Sequence, residues 1–279
     1  MTGTEHGGEH VTVAITDGVA VATIDHPPIN LMTTRVFIEL SRLADSIAAD
    51  DEVAVLVLRS ANPGWWIAHF DVEAIVGFPV DGIPLPAPGL NAFHDMCERF
   101  RTMPKITIAE LAGRVGGGGA ELAASLDLRY GARGHCIVNQ PEVALGILPG
   151  GSGTQRWAHL TNRSRALEVV AGCDDVDADT AERWGWLTRA LDPDELTPFV
   201  DRLAHRIASF PRQAVVRAKA AVDAALPDPR PGLLREAELF QHTLRDPETT
   251  DAMRRFLAEH GQTPEGEARL GDLAGELWA

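Results

Sequence analysis

Hydrophobic and polar residues alternate from Val11 to Thr16 and again from Val19 to Asp25, with Asp17-Gly18 between them. That pattern predicts a β-hairpin, which Pro27-Pro28 stops. Val36, Leu40, Leu43 and Ile47 then recur at helical spacing, predicting an amphipathic helix from about Thr34 to Ala49, closed by Asp50-Asp51-Glu52. Val53 to Leu58 is a continuous apolar run, the mark of a strand covered on both faces. Strand, helix and strand in this order make a β-α-β unit.

After a loop at Asn62-Pro63-Gly64, Trp65 to Asp71 is unusually aromatic, and Asp71 is placed to cap a short helix through Val76. Gly77 to Gly89 carries Pro79, Pro84, Pro86 and Pro88 and has no period, so it reads either as a substrate-covering loop or as a surface insertion. Leu90 to Met103 reads as a helix ending at Pro104. Ile106 to Leu111 reads as a strand leading into Gly116-Gly117-Gly118-Gly119, with a helix from Ala120 to Leu126 and a second strand from Asp127 to Gly131. From Arg163 the chain is mostly helical; Asp177 to Thr180 starts one helix, and Pro193, Pro211, Pro229 and Pro247 punctuate the others. The expectation is a flexible segment at residues 1–10, one α/β core over 11–200 and a helical region over 201–279.

Composition narrows the function. The 279 residues are 45% hydrophobic and 23% charged, ordinary for a globular chain. A net charge of −15 argues against nucleic acid or an anionic membrane as partner. No apolar run approaches the roughly 20 residues that span a bilayer. Met1 to His10 is polar and acidic, unlike a signal peptide, so a cytoplasmic location is expected. Cys97, Cys136 and Cys173 are widely spaced, as for reduced thiols, and no metal site is expected.

Two stretches carry candidate chemistry. Four successive glycines are entropically costly and make sense where the backbone turns sharply and something approaches it closely. At a strand-to-helix junction the first N–H groups lack partners and the helix dipole adds to them, so an anion or a developing oxyanion can be held there. Glu121 would set a carboxylate beside that oxygen site. A plain flexible loop and a phosphate cradle are the competing readings. The second is weak, because there is no G-x-G-x-x-G register and no following Lys-Ser/Thr, and a carboxylate would repel phosphate. Ile137 to Gly153 is rich in turn residues yet apolar in between, as in a packed loop.

The run ending in Ala120-Glu121-Leu122, followed by Gln140-Pro141-Glu142-x-x-Leu145-Gly146-Ile147-Leu148-Pro149-Gly150-Gly151-x-Gly153-Thr154-Gln155-Arg156, resembles the crotonase superfamily of enoyl-CoA hydratases and isomerases, over roughly residues 11 to 260. The resemblance implies an α/β spiral of β-β-α turns over 11–200 and C-terminal helices over 201–279 that trimerise, giving a homotrimer or a dimer of trimers. It implies catalytic roles for Glu121 and Glu142 and an oxyanion hole from the backbone N–H groups of Phe70 and Gly118. Substrate and coenzyme A contacts fall on Trp66, Ile67, Ala68, His69, Asp71 and Gly117, those at Ile67 and Ala68 through backbone atoms. No cofactor is implied, since coenzyme A is part of the substrate. This chain departs from the family at His69-Phe70, where small residues are usual, and at Glu73, where many members carry a lysine near the coenzyme A phosphates. From the residues themselves, His69 reads as a buried, hydrogen-bonded ring or pocket wall, Trp65, Trp66 and Phe70 as core or acyl-pocket lining, Asp71 as a helix cap and Cys173 as a packed thiol.

The activity implied first is hydration of a trans-2-enoyl-CoA to a 3-hydroxyacyl-CoA, because isomerases of the family commonly keep one glutamate and this chain has both. Double-bond isomerisation, thioester hydrolysis, an aromatic acyl-CoA hydratase/lyase reaction (retro-aldol cleavage) and a non-catalytic acyl-CoA-binding subunit are the alternatives.

Overall fold

The computed structural model describes residues 6–81 and 89–279. In chain order the elements are β1 (Val11–Thr16), β2 (Val19–Ile24), α1 (Thr34–Ala49), β3 (Val55–Ser60), β4 (Trp65–Ile67), α2 (Val72–Val76), α3 (Ala92–Thr102), β5 (Ile106–Leu111), β6 (Arg114–Gly116), α4 (Gly117–Ser125), β7 (Leu128–Ala132), β8 (Ile137–Asn139), a 3-10 turn (Glu142–Leu145), α5 (Gly153–Leu160), α6 (Arg163–Gly172), β9 (Val176–Asp177), α7 (Ala178–Trp184), β10 (Arg189–Leu191), α8 (Pro193–Ala208), α9 (Arg212–Asp223), α10 (Arg230–Thr243), α11 (Thr249–Ala258), α12 (Pro264–Glu267) and α13 (Leu270–Glu276).

Asp17 and Gly18 both take positive φ (49° and 79°), the backbone of a tight hairpin turn, and pair Val11 with Ile24 and Thr16 with Val19. α1 begins where the Thr33 side chain accepts the Val36 N–H and turns Val36, Leu40, Leu43 and Ile47 into the core. It returns the chain to β3, parallel to β2. Two sheets form, ordered β1-β2-β3-β5-β7-β10 and β4-β6-β8-β9. The pairs β3/β4, β5/β6 and β7/β8 each give one long strand to the first sheet and one short strand to the second before the chain goes helical. Repetition of that step is the β-β-α spiral.

β3 is covered on both faces. Leu56 and Leu58 belong to the central core with Leu43, Phe100, Leu122 and Trp157, while Val55 and Val57 pack with Ile108 and Tyr130 beneath Leu196, Val200 and Ala204 of α8. Each such buried aliphatic side chain contributes about 1.5–3 kcal/mol. α8 therefore belongs to the core, and the expected boundary at residue 200 falls within it. Residues 6–10 are held rather than loose: His6 is buried against Asp50, and the Glu39 carboxylate accepts the N–H groups of Glu9, His10 and Val11.

The glycine run differs from expectation. Ile106–Leu111 does not enter it directly; the separate short strand β6 intervenes, and α4 begins at Gly117 rather than Ala120. The apolar run at Val53 is a strand only from Val55. In the helical region α10, α11 and α13 pack back on the same chain, bringing Phe240, Met253, Phe256 and Leu270 against Leu145 and Ile147. Among the described residues no helix is long and apolar enough to cross a membrane.

Candidate active site

Three parallel short strands bring the site together. β4 runs beside β6, with Trp65 opposite Arg114 and Ile67 opposite Val115, and β6 runs beside β8, with Gly116 opposite Asn139. Parallel strands end at the same edge of a sheet, where α/β proteins place their ligands. The chain leaving that edge supplies His69 and Phe70 from the first strand, Gly117 to Glu121 from the second, and Gln140 to Glu142 from the third. Glu121, Glu142, His69, Phe70 and Gly118 line one cavity of about 520 Å³.

The glycines permit the close approach. Gly117 has φ 43°, and a Cβ there would lie 2.8 Å from His69 Cβ and 2.9 Å from Glu142 Oε1. A Cβ on Gly119 would lie 2.7 Å from the Ile67 carbonyl oxygen. Gly116 caps α4 without any side-chain hydrogen bond. Gly118, at the second helical position, keeps an N–H that the helix itself cannot satisfy.

Both carboxyl groups are buried. Glu121 Oε1 accepts the N–H groups of Gly151 and Gly153, each at 2.8 Å. Burial, with Glu142 and Glu236 adding negative charge, raises the Glu121 carboxyl well above its ordinary value, and the two N–H donors oppose this. Glu142 receives hydrogen bonds from Gln140 Nε2 at 3.3 Å on Oε1 and 3.1 Å on Oε2. Trp157 Nε1 donates to Gln140 Oε1 at 3.1 Å, which turns the amide NH2 toward Glu142. Burial pushes Glu142 up to about 7, against the Gln140 hydrogen bond and the charge of His69. Two interacting buried carboxyls resist ionising together, so near neutrality the pair retains a proton, with one group able to give and the other to take.

His69 is buried in the cavity wall. Its Nε2 lies 2.9 Å from Glu267 Oε1 and its Nδ1 2.7 Å from the Phe70 carbonyl oxygen. Burial alone would lower the imidazole; the Glu267 carboxylate outweighs it and holds the ring at about 9. Gln262 ties down the same segment by accepting the Val72 N–H at 2.6 Å.

Phe70 packs in an aromatic cluster along the cavity, edge-on to Phe93 at 6.0 Å and to Phe37 at 6.2 Å, with Phe78 at 6.0 Å. This cluster takes up the bulk of the Phe70 ring. Trp66 lies in the core, its Nε1 donating to the Leu58 carbonyl. The backbone carbonyls of Ile67 and Ala68 abut Gly119 and Gly116. Asp71 caps α2 by accepting the Glu73 N–H at 3.0 Å, and Glu73 is exposed on that helix. Of the loop at Gly77–Gly89, residues 82–88 lie outside the described residues; Phe78 and Pro79, before it, line the cavity. All three cysteines are free and buried, with thiols pushed up to about 12, 12 and 11 for Cys97, Cys136 and Cys173, mainly by burial.

Sequence reasoning missed Glu236 and Glu267. Both are buried acids on the C-terminal helices, bonded to His94 and His69 respectively. Nothing local distinguishes them from surface glutamates. The one available signal was that Glu236 shares the apolar face of α10 with Leu233, Ala237 and Phe240.

The family model described as enoyl-CoA hydratase/isomerase matches residues 14–264. The short-chain-enoyl-CoA hydratase of Clostridium acetobutylicum is 30% identical over 242 residues, covering 86% of this chain and 91% of its own. The crotonyl-CoA hydratase of Syntrophomonas wolfei is 30% identical over 217 residues, covering 77% of this chain and 82% of its own. A crystal structure from Streptomyces avermitilis, carrying a provisional enoyl-CoA hydratase name, superposes with a TM-score of 0.87 at 34% identity, covering 97% of this chain and 98% of that one.

Proposed function

Because the chain belongs to the enoyl-CoA hydratase/isomerase family, we propose that it adds water to a trans-2-enoyl-CoA thioester to give a 3-hydroxyacyl-CoA. The observation that carries this reading is the pair of buried carboxyls, Glu121 and Glu142, brought from separate segments to one apolar cavity that Phe70 and Gly118 also line. A single carboxyl would serve a proton shift along the acyl chain. Addition of water calls for one group on the water and one on C2.

In this mechanism the thioester oxygen lies against the Phe70 and Gly118 N–H groups, which take up the charge that moves onto it; losing one such donor typically costs about 100- to 1000-fold. Glu121 Oε1 is occupied by Gly151 and Gly153, so Oε2 is the oxygen that holds the water and takes its proton as the hydroxyl bonds to C3. Glu142, whose carboxyl burial pushes up to about 7, gives its proton to C2. The products are the 3-hydroxyacyl-CoA, a protonated Glu121 and an ionised Glu142, and a proton returned from the first to the second resets the site. No cofactor is needed beyond the coenzyme A of the substrate.

The expected setting is the cytoplasm and the expected assembly a homotrimer or a dimer of trimers. In support, α9 buries no residue within its own chain and is flanked by exposed Phe210 and Leu226. Incubation with crotonyl-CoA tests the activity: loss of the conjugated-thioester absorbance, with 3-hydroxybutyryl-CoA as product, is expected. An unchanged spectrum with crotonyl-CoA and with longer 2-enoyl-CoAs would overturn the reading.

A further inference from the structure

Four consecutive backbone N–H groups, from Gly151 to Thr154, point alternately to two different glutamates. Those of Gly151 and Gly153 go to Glu121, each at 2.8 Å. Those of Ser152 and Thr154 go to Glu236, at 2.6 Å on Oε1 and 3.0 Å on Oε2. The alternation depends on Ser152, whose φ of 104° is a conformation that residues with a side chain rarely adopt. Ser152 is fully buried, so solvent does not satisfy its N–H.

Glu236 is itself fixed from several sides. His94 Nε2, rising from α3, lies 2.8 Å from Oε1, and the Thr154 hydroxyl donates to Oε2. Both Glu236 and His94 side chains are completely shielded from solvent. Two backbone N–H groups, a hydroxyl and an imidazole N–H thus converge on one side chain. An ionised carboxylate is acceptor-only and has room for about four donors; an amide of the same shape would turn N–H toward one of them.

We infer that Glu236 is a positioning residue for the hydration reaction: by taking the N–H groups of Ser152 and Thr154 it turns those of Gly151 and Gly153 onto Glu121 Oε1, and so sets how Oε2 meets the water. The inference rests on the proposed hydration for its catalytic consequence, and on the backbone geometry alone for its structural half. Through α10 the C-terminal region acts on the acid–base pair without touching substrate at this residue.

The full-length chain carrying Glu236→Gln tests it by two readouts. Hydrogen–deuterium exchange of the segment 150–155 should rise in the free protein, while exchange in β3 and β5 stays as in the unsubstituted chain. With crotonyl-CoA, kcat for hydration should fall on the order of 100-fold, the scale of a catalytic group misplaced by about an ångström, with KM changed less than about threefold. Proton exchange at C2 of butyryl-CoA, which does not use the water on Glu121, should fall far less. In a Glu121→Gln background the second substitution should add little, because Glu236 acts through Glu121. If Glu236→Gln does not fold, Glu236→Asp keeps the charge, withdraws it by one methylene, and should give the same selective loss. Unchanged exchange protection at 150–155, or equal losses of hydration and C2 exchange, would overturn the inference while leaving the hydratase reading intact. A chain that hydrates no enoyl-CoA would sink the hydratase reading, and the hydrogen-exchange arm would still decide the role of Glu236.

Discussion

Gly116 and Asn139 face each other across the parallel strands β6 and β8, and from this pair the two halves of the candidate site depart in the same direction. Glu121 follows five residues after Gly116 and Glu142 three after Asn139. Because the strands are parallel and in register, the two carboxyls enter one cavity although the end of α4 and the strands β7 and β8 lie between them in the chain.

Gly117 lies where His69 and Glu142 both close on the backbone. An alanine there would meet His69 Cβ at 2.8 Å and Glu142 Oε1 at 2.9 Å, at a φ of 43°. Gly117→Ala should lose about 1–3 kcal/mol of stability from backbone conformation and crowding and most of its hydration activity by displacing Glu142. Thermal unfolding and steady-state hydration check this; unchanged values in both would contradict the packing described.

The His69–Glu267 pair should be visible in the pH dependence of stability. The folded imidazole sits at about 9 against 6.5 for the ordinary group. A raised pKa means that the folded state binds the proton more tightly than the unfolded one. The stabilisation is therefore fully present below about 6.5 and is lost as pH rises through 9. Its ceiling is about 3 kcal/mol. Denaturant unfolding of the parent and of His69→Gln should differ most at pH 6 and converge by pH 9.5. A difference that is constant across this range would mean that the imidazole is not held charged.

Glu142 gives a signature in rate. Burial raises its carboxyl to about 7, so the group is protonated below that pH and ionised above it. As proton donor to C2 it should make kcat fall as pH rises through about 7. A profile flat from pH 6 to 9 would remove Glu142 from that role.

Glu73 stands exposed on α2, at the position where the family resemblance implies a lysine near the coenzyme A phosphates. Glu73→Lys should tighten acyl-CoA binding a few-fold, an effect of the size of surface ion pairs and weakened by salt. Calorimetry showing unchanged or weaker binding would take Glu73 out of the phosphate environment.

These expectations rest unequally on the sequence. α1 was readable residue for residue from Thr34 to Ala49, because four apolar residues keep helical period over its whole length. The Asp71 cap and the strand Ile106–Leu111 were equally local. The second sheet was not: β4, β6 and β8 have three residues each, too few for alternation to show. Hence the local pattern joins the glycine run to β5, whereas β6 is the strand that enters it. The pairing of Gly116 with Asn139 is a long-range fact that no local pattern carries. Glu121 and Glu142 lie in long motifs, whereas Glu267 stands alone among ordinary helical residues and Glu236 is marked only by its place on the apolar face of α10.

The division of labour between Glu121 and Glu142 is the centre of this account. It is tested most directly by measuring hydration of crotonyl-CoA and C2 proton exchange of butyryl-CoA in D2O on the same samples of Glu121→Gln and Glu142→Gln. The amide keeps the shape of each side chain and removes its proton chemistry. Glu121→Gln should hydrate about 100- to 10,000-fold more slowly, the scale of a lost general base, and keep much of its C2 exchange, while Glu142→Gln should lose both. Hydration by Glu121→Gln at the parent rate would make Glu121 a structural carboxylate and contradict the proposed mechanism.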